Sequence, residues 1–169
     1  TVVSFIQSIF WEFGSGVICP ETGVLFQNRG AGFSLSPGPN CLAPGKKPFH
    51  TLNPAMAVMN DGRIVSYGTM GGEGQPQTQA AIFARYAFHG VDLQRAISAP
   101  RWLLGKTWGD DTTSLKLESS FDAKLINELR EANHQIEIVS ENNSLMGHAG
   151  SVVSHPDGRV EAASDARSD

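Results

Sequence analysis

Ala55-Met56-Ala57-Val58-Met59-Asn60-Asp61-Gly62-Arg63-Ile64-Val65-Ser66-Tyr67-Gly68-Thr69-Met70-Gly71-Gly72 is the stretch from which the fold is read. Two apolar runs flank Asn60-Asp61-Gly62, residue types that tolerate positive φ, so the segment reads as a β-hairpin. Its second strand runs into Gly68-Thr69-Met70-Gly71-Gly72. Residues 76–89 then take a helical period, with Ile82, Tyr86 and His89 on one face and Gly90 as the stop. Two adjacent glycines between a strand and a helix leave backbone N–H groups unshielded by side chains. Those donors can converge on the oxyanion of an acyl transfer or on a phosphate near a helix start, or the glycines can simply make a tight turn. The spacing matches neither the Walker phosphate loop nor the dinucleotide fingerprint, and no cofactor is expected.

Working outward, residues 2–10 are rich in Val, Phe and Ile and read as a buried strand, broken by Phe13-Gly14-Ser15-Gly16. Val17-Ile18 and Val24-Leu25-Phe26 read as short strands about the turn Pro20-Glu21-Thr22-Gly23. Residues 29–48 are Gly- and Pro-rich without a period, a long loop of the kind that often carries function. Downstream, Asp92 caps a helix over Leu93–Ser98 that ends before Pro100. Residues 115–118 and 136–139 read as strands, separated by a helix capped by Ser120 or Asp122 with Leu125, Ile126 and Leu129 inward. A last hairpin joins residues 151–154 to 159–162. These elements predict one α+β domain over residues 1–169, with helices on layered, mainly antiparallel sheets. Thr1–Ile6 is already strand-like and residues 164–169 form no clear terminal element, so both ends read as cut.

The 169 residues suffice for one core. The 18 glycines exceed the usual share of about 7% and point to turns or to close backbone approach. Net charge is -4 and Lys46-Lys47 is the only adjacent basic pair, which argues against a nucleic-acid partner. No apolar run approaches the ~20 residues of a membrane span. Cys19 and Cys41 make neither a disulfide framework nor a metal knuckle. His50, His89, His134, His148 and His155 lack ligand spacing, so no metal site is expected.

Several motifs, in order, carry a family resemblance. Phe13-Gly14-Ser15-Gly16, Gly23-Val24-Leu25, Asn28, Phe33-Ser34, Lys46-Lys47-Pro48 and Asn53-Pro54-Ala55-Met56 precede the glycine loop Gly68-Thr69-Met70-Gly71-Gly72. Ala99-Pro100-Arg101, Met146-Gly147 and Ala163-Ser164-Asp165-Ala166-Arg167-Ser168 follow it. Together they resemble the small, catalytic subunit of the γ-glutamyltranspeptidase family over essentially the whole chain. The resemblance implies a four-layer αββα N-terminal-nucleophile hydrolase, of which this is the small-subunit portion, made from a precursor that cleaves itself. It implies a threonine nucleophile whose own amine serves as base, and a large subunit of the same precursor as partner. Thr1 matches a position on the strand after the nucleophile's strand, so the nucleophile is expected upstream. Gly71 and Gly72 match the oxyanion-hole glycines, and Asp165 with Arg167 suggests a structural pair. Ser8 matches a threonine whose hydroxyl supports the nucleophile; a strand serine bonded to backbone is the other reading.

The departures bear on substrate. The family's carboxylate-gripping asparagine is Phe10 here. Its glutamine and its amine-holding aspartate are Arg29 and Gly32, and its paired serines are His50 and Thr51. The zwitterion clamp is thus largely gone, and a forked cation suited to carboxylates stands in its place. With Asn28, Arg29, His50 and Thr51 as candidate substrate-binding residues, the chain looks more like the soluble acylase and oxamate amidohydrolase-like relatives than the glutathione enzymes. The expected activity is hydrolysis, or acyl transfer, of an amide whose acyl group carries a carboxylate, such as a small oxamate- or glutaryl-type amide. A glutathione γ-glutamyltransferase and a non-catalytic β-rich binding module are the alternatives. The sequence leaves the compartment open.

Overall fold

A computed structural model describes residues 1–107 and 112–168. They form two compact units, Ile6–Leu52 and a larger one made of Thr1–Phe5 with Asn53–Asp169.

In the larger unit the expected hairpin forms as β1 (Ala55–Val58) and β2 (Ile64–Thr69). The last hairpin forms as β6 (Ala149–Ser154) and β7 (Val160–Ser164), and together they make one antiparallel sheet in the order β1-β2-β6-β7. Along β6, Ala149, Ser151 and Val153 are buried while Gly150 and Val152 are exposed, the period of two that marks a sheet with two unlike faces. The buried face packs on α1 (Gln75–Ala87) and α2 (Leu93–Ser98): Val65 and Val153 meet Tyr86, Leu93 and Ala96, and Ala149 meets Ile82 and Ile97. On the other face, Met56, Val58, Val152 and Val160 stay open to solvent; their register, Met56↔Ser66↔Val152 and Val58↔Ile64↔Ser154↔Val160, puts them in two adjacent rows.

Helix boundaries follow the punctuation. The helix expected over residues 76–89 ends at Ala87, because Val91 N–H turns back to Arg85 O and Gly90 takes φ 63°. Ile82 and Tyr86 bury as expected; His89 lies past the last turn and is exposed. Asp92 caps α2, its Oδ1 accepting the Arg95 N–H at 3.1 Å. Asp92→Ala is expected to cost about 1 kcal/mol and Asp92→Asn much less, read from urea midpoints of the folded protein.

A second sheet, β3-β4-β5, comprises β3 (Trp102–Leu104), β4 (Leu115–Glu118) and β5 (Ile136–Val139). β3 was not expected. β4 and β5 run parallel, joined by α3 (Ala123–Glu131), as a parallel pair requires a crossover. Asp122 caps α3, accepting Lys124 N–H at 2.8 Å. Of the three residues expected inward, Ile126 is buried, Leu129 half-buried, and Leu125 exposed.

The buried strand expected over residues 2–10 is not formed. Residues 1–6 alternate in exposure like an extended chain, yet Val3 and Phe5 are 69% and 76% exposed. Thr1–Phe5 meets β2 through serine hydroxyls in place of a ladder: Ser66 Oγ donates to Val3 O at 3.0 Å and Ser4 Oγ to Tyr67 O at 3.3 Å. Farther on, in the smaller unit, Ser8 Oγ accepts Phe10 N–H at 2.9 Å and Phe10 takes φ 85°. A hydroxyl that captures a backbone donor two residues on competes with a ladder.

In that unit the short strands expected about Pro20–Gly23 reduce to a single antiparallel bridge, Ile18↔Leu25. The long loop is ordered by a 3-10 turn, Arg29–Gly32, and a bridge at Ser34↔Cys41. Cys19 and Cys41 are free thiols.

Candidate active site

The diglycine loop belongs to the larger unit. β2 delivers the chain to Met70, whose N–H extends the pairing with β6 by donating to His148 O at 3.0 Å. Gly71 then takes φ 134° and Gly72 φ 49°. Gly74 N–H donates to Gly71 O at 2.8 Å and Gln75 N–H to Gly72 O, closing a 3-10 turn that leads directly into α1. Among the described residues the N–H groups of Gly71 and Gly72 have no acceptor. Two successive unpaired donors at a helix start are a pattern that suits an anion. Side chains are excluded there on steric grounds: a Cβ on Gly71 would sit 3.3 Å from Gly147 Cα, and one on Gly72 2.9 Å from Thr107 O. Near the loop, Gln75 Oε1 and His148 Nε2 are buried without partners among the described residues. From the sequence, Gln75 is only a residue following the glycine loop and His148 a histidine without ligand spacing, since nothing in a single sequence marks an unpartnered atom.

Beneath the loop lies a charge cluster that sequence reading saw only in part. The expected pair forms, with Arg167 Nη1 3.0 Å from Asp165 Oδ1. It extends to Arg167 Nη2–Glu118 Oε2 at 2.5 Å and to an ion pair between Arg101 and Asp165. All four side chains are at most 1% exposed. Burial pushes the Asp165 carboxyl up, but the Ala149 N–H, at 2.7 Å, and the Arg101 guanidinium outweigh it and hold its pKa below the ordinary value.

The smaller unit gathers most of the expected substrate-binding residues. Arg29 is 4% exposed. Its Nη1 donates to Thr51 Oγ1 at 3.0 Å, its guanidinium lies 5.3 Å from the centre of the Phe10 ring, and its Nη2 is buried without a partner among the described residues. A guanidinium on an aromatic face is a favourable cation–π contact, yet it supplies no acceptor for the remaining fork. Asn28 steadies the platform from below: its Oδ1 accepts Trp11 N–H at 3.0 Å, and Trp11 stacks on Phe10 at 5.6 Å. His50 is exposed, its Nδ1 accepting Leu52 N–H at 3.3 Å, and it does not join Arg29. Ser8 binds backbone, as described above, and stands close in sequence to the same platform.

A family model described as Gamma-glutamyltranspeptidase matches residues 1–169. The chain is 60% identical to the oxamate amidohydrolase proenzyme of Klebsiella pneumoniae over 98% of its length. It is 45% identical to a glutathione hydrolase-like proenzyme of Bacillus subtilis over 99% of its length. It spans 32% of each of these curated relatives. Among solved structures it resembles a cephalosporin acylase from Bacillus halodurans, with TM-score 0.75 and 30% identity, covering 96% of this chain and 30% of that one. It also resembles the γ-glutamyltranspeptidase of Pseudomonas nitroreducens, with TM-score 0.77 and 21% identity, covering 98% of this chain and 89% of that one. The expected α+β architecture is therefore the N-terminal-nucleophile hydrolase fold of these proteins. With the ordered motifs and the diglycine loop lying within the residues that the family model matches, the chain belongs to the γ-glutamyltranspeptidase family.

Proposed function

We propose that this chain is the small-subunit portion, one domain, of a self-processed amide hydrolase that acts on a small amide whose acyl group carries a carboxylate. In this reading a threonine preceding Thr1 in the precursor attacks the amide carbonyl through Oγ, its own α-amine taking the proton. The N–H groups of Gly71 and Gly72 hold the oxyanion, where preorganised donors act most strongly. The amine leaves, and water then releases the acid from the acyl-enzyme. The relatives' description as proenzymes supports processing into two subunits. The two open rows of Met56, Val58, Val152 and Val160 suit the second sheet of a four-layer fold, supplied by the large subunit.

The observation that carries the substrate class is Arg29: a buried cation, propped by Thr51 and Phe10, with one fork of donors unfilled. A carboxylate oxygen fits that vacancy, and the name of the Klebsiella relative, whose oxamate is a carboxylate beside an amide, agrees. An α-ammonium group, as in glutathione, would meet a like charge with no acid beside it, since Gly32 stands where the family has aspartate. The test is Arg29→Gln in the full precursor, assayed on oxamate, a glutaryl amide, a neutral acyl amide and glutathione. Loss of a charge-assisted hydrogen bond of about 1.5–3 kcal/mol should cut kcat/KM for the acidic acyl groups, mainly through KM. The neutral amide should be spared. Equal losses on acidic and neutral substrates would make Arg29 structural and remove this reading of the substrate.

A further inference from the structure

We propose that Arg101 is a positioning residue for the diglycine loop, acting through the turn Met146-Gly147; this rests on reading Gly71 and Gly72 as the oxyanion donors. Arg101 is fully buried, and its Nη1 donates to two consecutive carbonyls, Met146 O and Gly147 O, each at 2.9 Å. Asp165, its ion-pair partner, takes the next free donor of the same segment, Ala149 N–H. Glu118 accepts Asn143 N–H at 3.0 Å, and Thr78 Oγ1 adds a bond to Met146 O at 2.9 Å. Residues 143–149 are therefore pinned at both ends and in the middle by charges and a hydroxyl that water cannot reach.

That segment is in contact with the loop. Gly147, at φ 81°, approaches so closely that a Cβ there would lie 2.4 Å from Met70 O and 2.6 Å from Thr69 Oγ1, and Gly71 faces Gly147 Cα. On the other side of the contact, His148 O holds Met70 N–H. The orientation of the Gly71 peptide is thus set by where Gly147 sits, and Gly147 sits where Arg101 holds its carbonyl. Donors aimed at a developing charge lose their advantage when misplaced by fractions of an ångström, so the arginine's effect should fall on the chemical step rather than on substrate affinity.

The experiment uses the full-length, processed enzyme with Arg101→Lys, Gly147→Ala, Thr78→Val and the double variant Arg101→Lys/Gly147→Ala, and Gly71→Ala as reference. Arg101→Lys keeps the charge but has one nitrogen where the guanidinium uses two, so it cannot hold the two carbonyls together with Ile97 O and Asp165; Thr78→Val is isosteric and removes one bond to the same turn. Expected are kcat losses of roughly ten- to hundredfold for Arg101→Lys and Gly147→Ala, with KM within about threefold, and a smaller loss of the same kind for Thr78→Val. The double variant should lose far less than the product of the singles, because both act through one contact. Unchanged kcat in Thr78→Val and Gly147→Ala overturns the proposal, whether or not Arg101→Lys folds; so do losses carried by KM, or losses that multiply. If Gly71→Ala itself keeps full kcat, the oxyanion reading has failed; if Gly71→Ala is crippled and the others are not, only the positioning role has.

Discussion

Gly71→Ala in the full-length enzyme is expected to lower kcat by about 10²–10³-fold, the loss typical of removing one oxyanion-hole donor. The expectation follows from the backbone. At φ 134° only glycine is at ease, and a methyl group there would meet Gly147 Cα at 3.3 Å. The chain must therefore rotate the peptide or push Gly147 away, and either movement swings the N–H groups of residues 71 and 72 off their common target. Substrate affinity depends on Arg29 in the proposed mechanism and not on these donors, so KM should change little. A rise in KM with kcat preserved would show that the glycines bind ground-state substrate, and an unaffected enzyme would reduce them to a turn.

Asp165→Ala should destabilise the protein by about 3–5 kcal/mol, because it strands buried positive charge. Arg101 would keep its carbonyl partners but lose its counter-ion, Arg167 would keep Glu118 as its one counter-ion beside the Ile97 and Ala99 carbonyls, and Ala149 N–H would lose its acceptor. Equilibrium unfolding in urea reads this directly, and a loss under 1 kcal/mol would mean the cluster is solvated in the native state. The acid side gives a second check. The Asp165 pKa is lowered on folding, so its contribution is fully present above the ordinary aspartate value of about 3.9 and disappears as pH falls through the lower, folded value. Wild-type stability should therefore fall more steeply than that of Asp165→Asn below about pH 4.

Much of the fold was legible because local chemistry and tertiary contacts agree. Asp92 and Asp122 cap the helices they precede, and Asn60-Asp61-Gly62 turns the hairpin it predicts. What escaped reading depended on partners distant in sequence. β3 is three residues long and exists because Leu103 pairs with Lys116. Leu125 carries the right hydrophobicity for the core but lies to one side of the buried stripe centred on Ile126. The site divides the same way. Gly71 and Gly72 announce themselves by adjacency, and Arg29 by departing from a family pattern. Arg101 belongs to a family-like motif and Glu118 to an ordinary strand, and burial, invisible in a lone sequence, is what gives both their weight. Ser8 matches a family hydroxyl, and its oxygen accepts Phe10 N–H two residues away, the local backbone bond of its other reading.

The buried charge cluster also has a consequence in time. Arg101 and Asp165 are 64 residues apart and Glu118 and Arg167 are 49 apart, so the first member of each pair leaves the ribosome long before the second. At about 5–20 residues per second, Arg101 waits roughly 3–13 s for its counter-ion. During that interval, sealing the guanidinium away from water would carry its full desolvation penalty unrepaid. The early hairpin and α1 can form on local signals, but the turn at Met146-Gly147 cannot be clamped until residues 165–167 arrive. The glycine loop thus stays without that support while the residues between Gly72 and Asp165 are being made.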